Sequence, residues 1–207
     1  MINDLKEFII NGKNAEAVAL TEKALKENIS PAEILNNGLI AGMDVVGEYF
    51  KNNEFYVPQV LMAARAMQQS MDVLKPKLVA EGVEAKGKIV IGTVKGDQHN
   101  IGKNLVAMML EGNGYEVVDL GVNVTPEKFA LAVSNGADLL GMSALLTTTM
   151  PQMKKVIDLL KEKGLRDKVK VMVGGAPVTE EFAKEIGADG YSQDAAGAVD
   201  LAKALLG

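Results

Sequence analysis

Apolar residues follow two different periods in this chain of 207 residues, one before residue 84 and another after residue 88. In the first part they recur at spacings of three and four, as on one face of an α-helix. One stripe of this kind contains Leu35, Leu39, Met43, Val46 and Phe50. The spacing predicts four helices, over 3–11, over 14–28, from 31 and from about 58, in a small antiparallel bundle.

The second part alternates short apolar runs with helical segments, as in a parallel sheet with right-handed crossovers. The predicted strands cover 88–94, 115–120, 138–143, 169–174 and 189–192. The predicted helices cover 102–112, 126–135, 151–163, 180–186 and 195–206. The predicted fold class is α/β: an N-terminal four-helix bundle, then a doubly wound, five-stranded parallel sheet of the Rossmann-like or flavodoxin-like kind. A polar, glycine-containing stretch at 81–87 separates two predicted domains, 1–84 and 88–207.

Composition narrows the possible partners. A net charge of −5 argues against a general nucleic-acid binder, which needs a basic face. No apolar run is long enough to span a membrane, and the first residues lack the layout of a signal peptide. The chain has no cysteine, which excludes disulfides and thiolate chemistry and fits the cytoplasm. We therefore expect a cytoplasmic protein without a nucleic-acid or membrane partner.

The only histidine, His99, lies on the loop that follows the predicted strand 88–94. Ligands of open parallel sheets bind at the carboxyl ends of the strands. Asp97 is close enough in sequence to accept a hydrogen bond from one ring nitrogen of His99, which would leave the other nitrogen free as a base or a metal ligand. A lone histidine beside one carboxylate is usually only a polar loop residue, so other loops must support a site.

Two further strand ends carry unusual loops. Hydroxyl groups follow the strand 138–143, at Ser143 and at 147–149, and we expect one of these threonines to cap the helix that begins at Pro151. Gly174 and Gly175 follow the next strand, where a flat ligand could lie against bare backbone. These loops converge on one edge of the sheet and predict a long, partly polar slot. The chain has neither the Rossmann glycine fingerprint nor a phosphate-binding loop of the Walker type.

The order Asp97-x-His99-x-x-Gly102, Ser143-x-Leu145, Gly174-Gly175 resembles the three-part signature of cobalamin-binding domains. The stretch from Phe50 to Val60 is similar to the helical cap of cobalamin-dependent methionine synthase. The resemblance extends over both predicted domains, and it is greatest to the free-standing corrinoid proteins of methyltransferase systems.

The resemblance implies roles for individual residues. His99 would replace the lower base of the corrinoid on cobalt, Asp97 would hydrogen-bond to His99, and Thr149 would be the third member of this relay. Phe50 and Val57 would shield the upper face of the corrin. The remaining cofactor-binding residues that the resemblance implies are Gly96, Gln98, Asn100, Ile101 and Gly102 on the histidine loop, and Ser143, Leu145, Thr147, Gly174, Gly175 and Ala195 around the nucleotide tail.

The implied function is that of a methyl carrier without a complete active site of its own. A substrate-specific methyltransferase would load the cobalt, a second enzyme would pass the methyl group to tetrahydrofolate or coenzyme M, and a reductive activase would restore the cofactor. The donor stays open between methylamines, betaines, methanol and methoxylated aromatics. The alternatives are an adenosylcobalamin mutase subunit, a cobalamin-dependent regulator and a phospho-receiver fold, for which we see no substrate barrel, no signalling domain and no acidic cluster, respectively.

Overall fold

The computed structural model describes residues 1–207. It contains two compact units: Met1–Lys86 with Glu111–Gly114, and Gly87–Leu110 with Tyr115–Gly207. The domain limits 1–84 and 88–207 stay a prediction about where the chain divides. No helix combines the length and apolar character needed to cross a membrane.

The first unit is helical. Its elements are α1 (Ile2–Ile10), α2 (Asn14–Lys26), α3 (Pro31–Glu33), a π-helical segment (Ile34–Ile40), α4 (Ala41–Lys51) and α5 (Val57–Ala80). The hydroxyl of Ser30 accepts a hydrogen bond from the N–H of Glu33 at 3.1 Å and caps α3. Because α3, the π-helical segment and α4 follow one another without a break, the unit has the four helical runs that the spacing predicts.

The π-helical segment was not predicted. The expected stripe is still buried from Leu35 to Val46, while Phe50 is half-buried. A Cβ at Gly38 would lie 2.8 Å from a methyl carbon of Leu5, so α1 packs directly against bare backbone here. Apolar spacings of three and four do not distinguish an α-helix from one widened by a residue per turn, and a regular helix was therefore the wrong prediction for Ile34–Ile40.

The second unit is a five-stranded, all-parallel sheet in the order β2-β1-β3-β4-β5. Its strands are β1 (Lys88–Thr93), β2 (Glu116–Asp119), β3 (Leu139–Ser143), β4 (Lys170–Gly174) and β5 (Gly190–Ser192). Its helices are α6 (Ile101–Gly112), α7 (Pro126–Ser134), α8 (Pro151–Glu162), α9 (Glu180–Ile186) and α10 (Ala195–Leu206). The predicted fold class is confirmed, and each of these elements ends within one residue of its predicted limits.

The strand order places the candidate site. The strand order reverses between β1 and β3, because β2 lies on one side of β1 and β3 lies on the other. The last residues of β1 and β3, Thr93 and Ser143, are paired in register. Doubly wound sheets bind their ligands at such a switch point. Helix α7 packs closely behind it, since a Cβ at Gly92 would lie 2.9 Å from the ring of Phe129. The loops after β1 and β3 therefore begin side by side, and α7 packs against β1 just before its loop begins.

A short 3-10 helix at Arg166–Lys168 was not predicted. The guanidinium of Arg166 donates hydrogen bonds to the carbonyl oxygens of Val169 and Gly187 and to the carboxylate of Asp189. Asp189 also accepts the N–H of Val171 at 2.6 Å. These contacts join the beginnings of β4 and β5, at the edge of the sheet opposite His99.

Candidate functional site

The side chain of Asp97 is fully buried and lies at the centre of the candidate site. Its Oδ1 accepts the N–H of His99 at 3.0 Å and Nδ1 of His99 at 2.7 Å. Its Oδ2 accepts the hydroxyl of Thr149 at 2.8 Å and the N–H groups of Leu145 and Leu146 at 2.8 and 3.3 Å. One carboxylate thus joins the loop after β1 to the loop after β3.

These hydrogen bonds determine the charge of Asp97. Burial raises the pKa of its carboxyl group, but the N–H groups of His99 and Leu145, the imidazole and the hydroxyl of Thr149 together lower this pKa well below its usual range. Asp97 is therefore anionic at neutral pH and can only accept hydrogen bonds.

The anionic carboxylate selects the tautomer of His99. Nδ1 must carry a hydrogen to bond to an acceptor at 2.7 Å, so the lone pair of the neutral imidazole is on Nε2. Nε2 makes no hydrogen bond within the chain, and half of the side chain is exposed. His99 is thus presented as a ligand with one free nitrogen.

Three groups outside the predicted site hold the backbone of this loop. The hydroxyl of Thr93 donates to the carbonyl oxygen of His99 at 2.9 Å. The side-chain oxygen of Asn123 accepts the N–H of Gly96 at 2.8 Å, and the N–H of Asn123 donates to the carbonyl oxygen of Asp97 at 2.9 Å. Asn123 has a φ of +53°, a left-handed conformation that asparagine adopts more readily than most residues.

Lys103 belongs to the same loop motif, and its side chain is buried although it is charged. The ammonium group pairs with the carboxylate of Asp119, at the end of β2, and donates to Oδ1 of Asn104 at 2.7 Å. The other oxygen of Asp119 accepts the N–H of Gly121 at 2.8 Å. This ion pair fastens the first turn of α6 to the neighbouring strand.

The loops after β3 and β4 meet at Gly175. Its φ is +130°, and a Cβ there would lie 1.8 Å from the carbonyl oxygen of Ala144, so only glycine fits. The N–H of Ala144 donates to the carbonyl oxygen of Gly174 at 3.2 Å. Nearby on β3, Ser143 is half-buried. The glycine pair thus brings two loops into direct backbone contact.

The other predicted residues lie in several environments. Leu145 and Thr147 are exposed, and Ala195 is buried at the first position of α10. Phe50 and Val57 belong to the helical unit, and their shielding role stays a prediction. All of the other residues predicted on the histidine loop are exposed: Gly96, Gln98, Asn100, Ile101 and Gly102.

The expected threonine cap on α8 was wrong. The N-cap residue is Met150, and no side chain caps the helix. Thr149 instead directs its hydroxyl towards Asp97 and the carbonyl oxygen of Leu146.

The chain offers no group of three or more His, Cys, Asp or Glu side chains that could hold a metal ion. The free Nε2 of His99 could supply one ligand to a metal that brings the rest of its coordination sphere with it. A cobalt ion in a corrin ring has this requirement, and a neutral imidazole nitrogen would suit such a metal.

Comparison with known proteins decides the family. Residues 87–200 match the B12 binding domain, and residues 1–75 match a second model of that description. The chain belongs to the B12 binding domain family. It is 44% identical over 211 residues to a corrinoid protein of Desulfitobacterium hafniense (strain Y51), covering 100% of this chain and 98% of that protein. It is 47% identical over 209 residues to dimethylamine corrinoid protein 1 of Methanosarcina mazei, covering 100% and 96%.

A solved structure agrees with these relatives. The chain superposes with a TM-score of 0.87, at 32% identity, on a chain of the methanol:cobalamin methyltransferase complex MtaBC from Methanosarcina barkeri. The match covers 99% of this chain and 79% of that one. The resemblance to corrinoid proteins of methyltransferase systems is thereby confirmed, and the mutase and regulator alternatives are not favoured.

Proposed function

We propose that this chain is a corrinoid methyl carrier. It binds cobalamin or a related corrinoid at the carboxyl edge of its sheet, is loaded by a substrate-specific methyltransferase and presents the methyl group to a second methyltransferase. The observation that carries the proposal is the single free nitrogen of His99, held by a buried anionic Asp97 in a B12 binding domain. A bound corrinoid supplies a cobalt ion that accepts and gives up a methyl group.

In this proposal, Nε2 of His99 would hold the metal of a bound corrinoid. Asp97 holds the hydrogen of Nδ1 and thereby keeps the lone pair on Nε2. The lowered pKa of Asp97 keeps its carboxylate ionised, so that it acts as an acceptor for the hydrogen on Nδ1.

The partners follow from the carrier role. Relatives named dimethylamine and trimethylamine corrinoid proteins support a methyltransferase specific for a methylated amine as the first partner. The second partner would pass the methyl group to tetrahydrofolate or coenzyme M, and a reductive activase would serve the same site. We place these encounters in the cytoplasm, in line with the lack of cysteine.

The helical unit has a protective role in this proposal. Phe50 is half-buried near the end of α4, and Val57 is 39% exposed at the start of α5. Close to them in sequence, the rings of Tyr49 and Phe55 pack edge to face with centroids 5.0 Å apart. An apolar helical end of this kind can exclude water from a reactive methyl group until a partner enzyme binds.

The visible spectrum of bound corrinoid tests the axial role of His99. The wild type should bind one corrinoid per chain with the spectrum of a histidine-ligated cobalt, whereas His99→Ala should bind it without that spectrum. Free imidazole should restore the spectrum of His99→Ala, which separates the lost ligand from a damaged fold. Identical spectra of the two proteins would remove His99 from the metal, and a wild type that binds no corrinoid would overturn the whole proposal.

A further inference from the structure

Thr93, the last residue of β1, is fully buried and is not among the residues that the sequence predicts for the site. The segment that follows β2 holds its backbone, because its N–H donates to the carbonyl oxygen of Gly121 and its carbonyl oxygen accepts the N–H of Val124, each at 2.9 Å. Its hydroxyl donates to the carbonyl oxygen of His99 at 2.9 Å. Strand β1, which has a neighbouring strand on each side, therefore reaches the backbone of the histidine directly.

The other hydrogen bonds of His99 leave a degree of freedom that Thr93 removes. The N–H and Nδ1 of His99 both donate to the same atom, Oδ1 of Asp97. With two bonds to one acceptor atom, the residue can turn about that atom, as far as the adjoining backbone allows, without losing either bond. The bond from the hydroxyl of Thr93 goes to a different part of the residue, the carbonyl oxygen, and restricts this turn.

We propose that Thr93 is a positioning residue, which fixes the direction of the free Nε2 of His99 through its hydroxyl. The β-branched side chain of threonine has few rotamers, so a buried hydroxyl on a fixed backbone is held in one place. The importance of Nε2 as a cobalt ligand rests on the proposed function, but the geometry of His99 belongs to the chain alone and can be tested without a corrinoid.

The chain contains a matched control. Thr21 is also fully buried, and its hydroxyl also donates to a backbone carbonyl oxygen, that of Ala17, at 2.9 Å. Both Thr93→Val and Thr21→Val remove such a hydroxyl while keeping the shape of the side chain. Only the first leaves a carbonyl oxygen of His99 without its partner.

Two measurements test Thr93. His99 is the only histidine, so its ring nitrogens give unique 15N resonances in the corrinoid-free protein. We expect hydrogen on Nδ1 in all three proteins, the wild type and the two valine variants, because both bonds to Asp97 remain, and we expect larger motion of the ring, measured by relaxation of its resonances, in Thr93→Val alone. In the corrinoid-bound protein, the ratio of histidine-ligated to unligated cobalt should fall roughly five- to tenfold in Thr93→Val, as expected for the loss of one hydrogen bond. Thr93→Ser, which keeps the hydroxyl, should restore both.

Each outcome decides the proposal. If Thr93→Val matches Thr21→Val in the motion of the ring and in the spectrum, and differs only in stability, Thr93 is a structural residue and the proposal is wrong. If Thr93→Val does not fold, the smaller Thr93→Ala takes its place with the same expected increase in the motion of the ring. A wild type that binds no corrinoid refutes the proposed function, while the 15N measurement still decides the role of Thr93.

Discussion

The hydroxyl of Thr149 donates to Oδ2 of Asp97 at 2.8 Å, although 52 positions separate the two residues. The same hydroxyl lies 2.9 Å from the carbonyl oxygen of Leu146 and has only one hydrogen to give. The charged carboxylate is the stronger acceptor, so the hydrogen belongs to Asp97 while Asp97 is ionised. Thr149 is thus a donor to the group that holds His99.

Removal of this donor should cost stability. Thr149→Val keeps the shape of the side chain but leaves the buried Oδ2 with two backbone donors, and we expect the free energy of unfolding to fall by about 1–3 kcal/mol. Thr149→Ser retains the hydroxyl and should lose less than about 1 kcal/mol. Urea unfolding of the three proteins measures both changes. Equal losses in the two variants would show that the methyl group, rather than the hydroxyl, is what matters.

The pKa of Asp97 predicts a pH dependence of stability. Because this pKa is lowered in the folded state, the unfolded chain takes up the proton at a higher pH than the folded chain does. The stabilisation by Asp97 is therefore complete at neutral pH and is lost as the pH falls below the ordinary aspartate value of about 4. The difference in unfolding free energy between wild type and Asp97→Asn should shrink over that range, as measured by urea unfolding at several pH values. A difference that stays constant down to pH 2.5 would contradict the lowered pKa.

The helical unit should protect a bound methyl group from light-driven loss. Because Phe50 is one of the apolar residues proposed to shield the corrin, Phe50→Ala should speed the photolysis of bound methylcobalamin several-fold without altering the circular dichroism spectrum. Phe8→Ala is a matched control, since Phe8 is another half-buried phenylalanine of the same unit, on α1. Equal photolysis rates in both variants would place Phe50 in the ordinary core.

The ion pair between Lys103 and Asp119 should respond unequally to loss of either partner. The side chain of Lys103 is 1% exposed and that of Asp119 is 40% exposed. Asp119→Ala leaves a buried ammonium group without its counter-charge and should destabilise the fold by about 3–5 kcal/mol. Lys103→Met fills the same space with an apolar chain and leaves a carboxylate that water can reach, so its cost should stay within about 1 kcal/mol. Thermal unfolding of both variants compares them, and equal costs would contradict this view of the pair.

The sequence predicts the strands well because buried parallel strands are short apolar runs between turn residues, which leaves little choice of limits. It predicts the approach of Thr149 to Asp97 only through a resemblance, because no local pattern brings two residues 52 positions apart together. The π-helical segment Ile34–Ile40 contains Gly38, against which Leu5 of α1 packs. Tertiary contacts of this kind leave no trace in the apolar spacing.

The partners of buried polar side chains are the main feature that the sequence does not predict. A lysine in the first turn of a helix normally faces water, and only the place of β2 beside β1 brings Asp119 to Lys103. Thr93 ends a strand, where threonine is common for its β-propensity alone, so its hydroxyl bond to His99 could not be distinguished from the ordinary case. In both cases the sequence shows a polar side chain, but its structural role depends on a hydrogen-bond or ion-pair partner that lies elsewhere in the fold.

The joining of two distant loops by one carboxylate has a consequence for how the protein acquires its cofactor. The donors to Asp97 come from residues 99 and 145–149, so the binding geometry exists only after both strands and the crossover between them have formed. A partly folded chain has the same side chains, but they have not yet come together as a binding site. Cofactor binding therefore selects completely folded molecules, and a corrinoid at about a hundred times its dissociation constant would add about 2.7 kcal/mol to their stability. In a cell short of corrinoid, fewer chains would be stabilised in this way, so the number that survive proteolysis would depend on the supply of the cofactor.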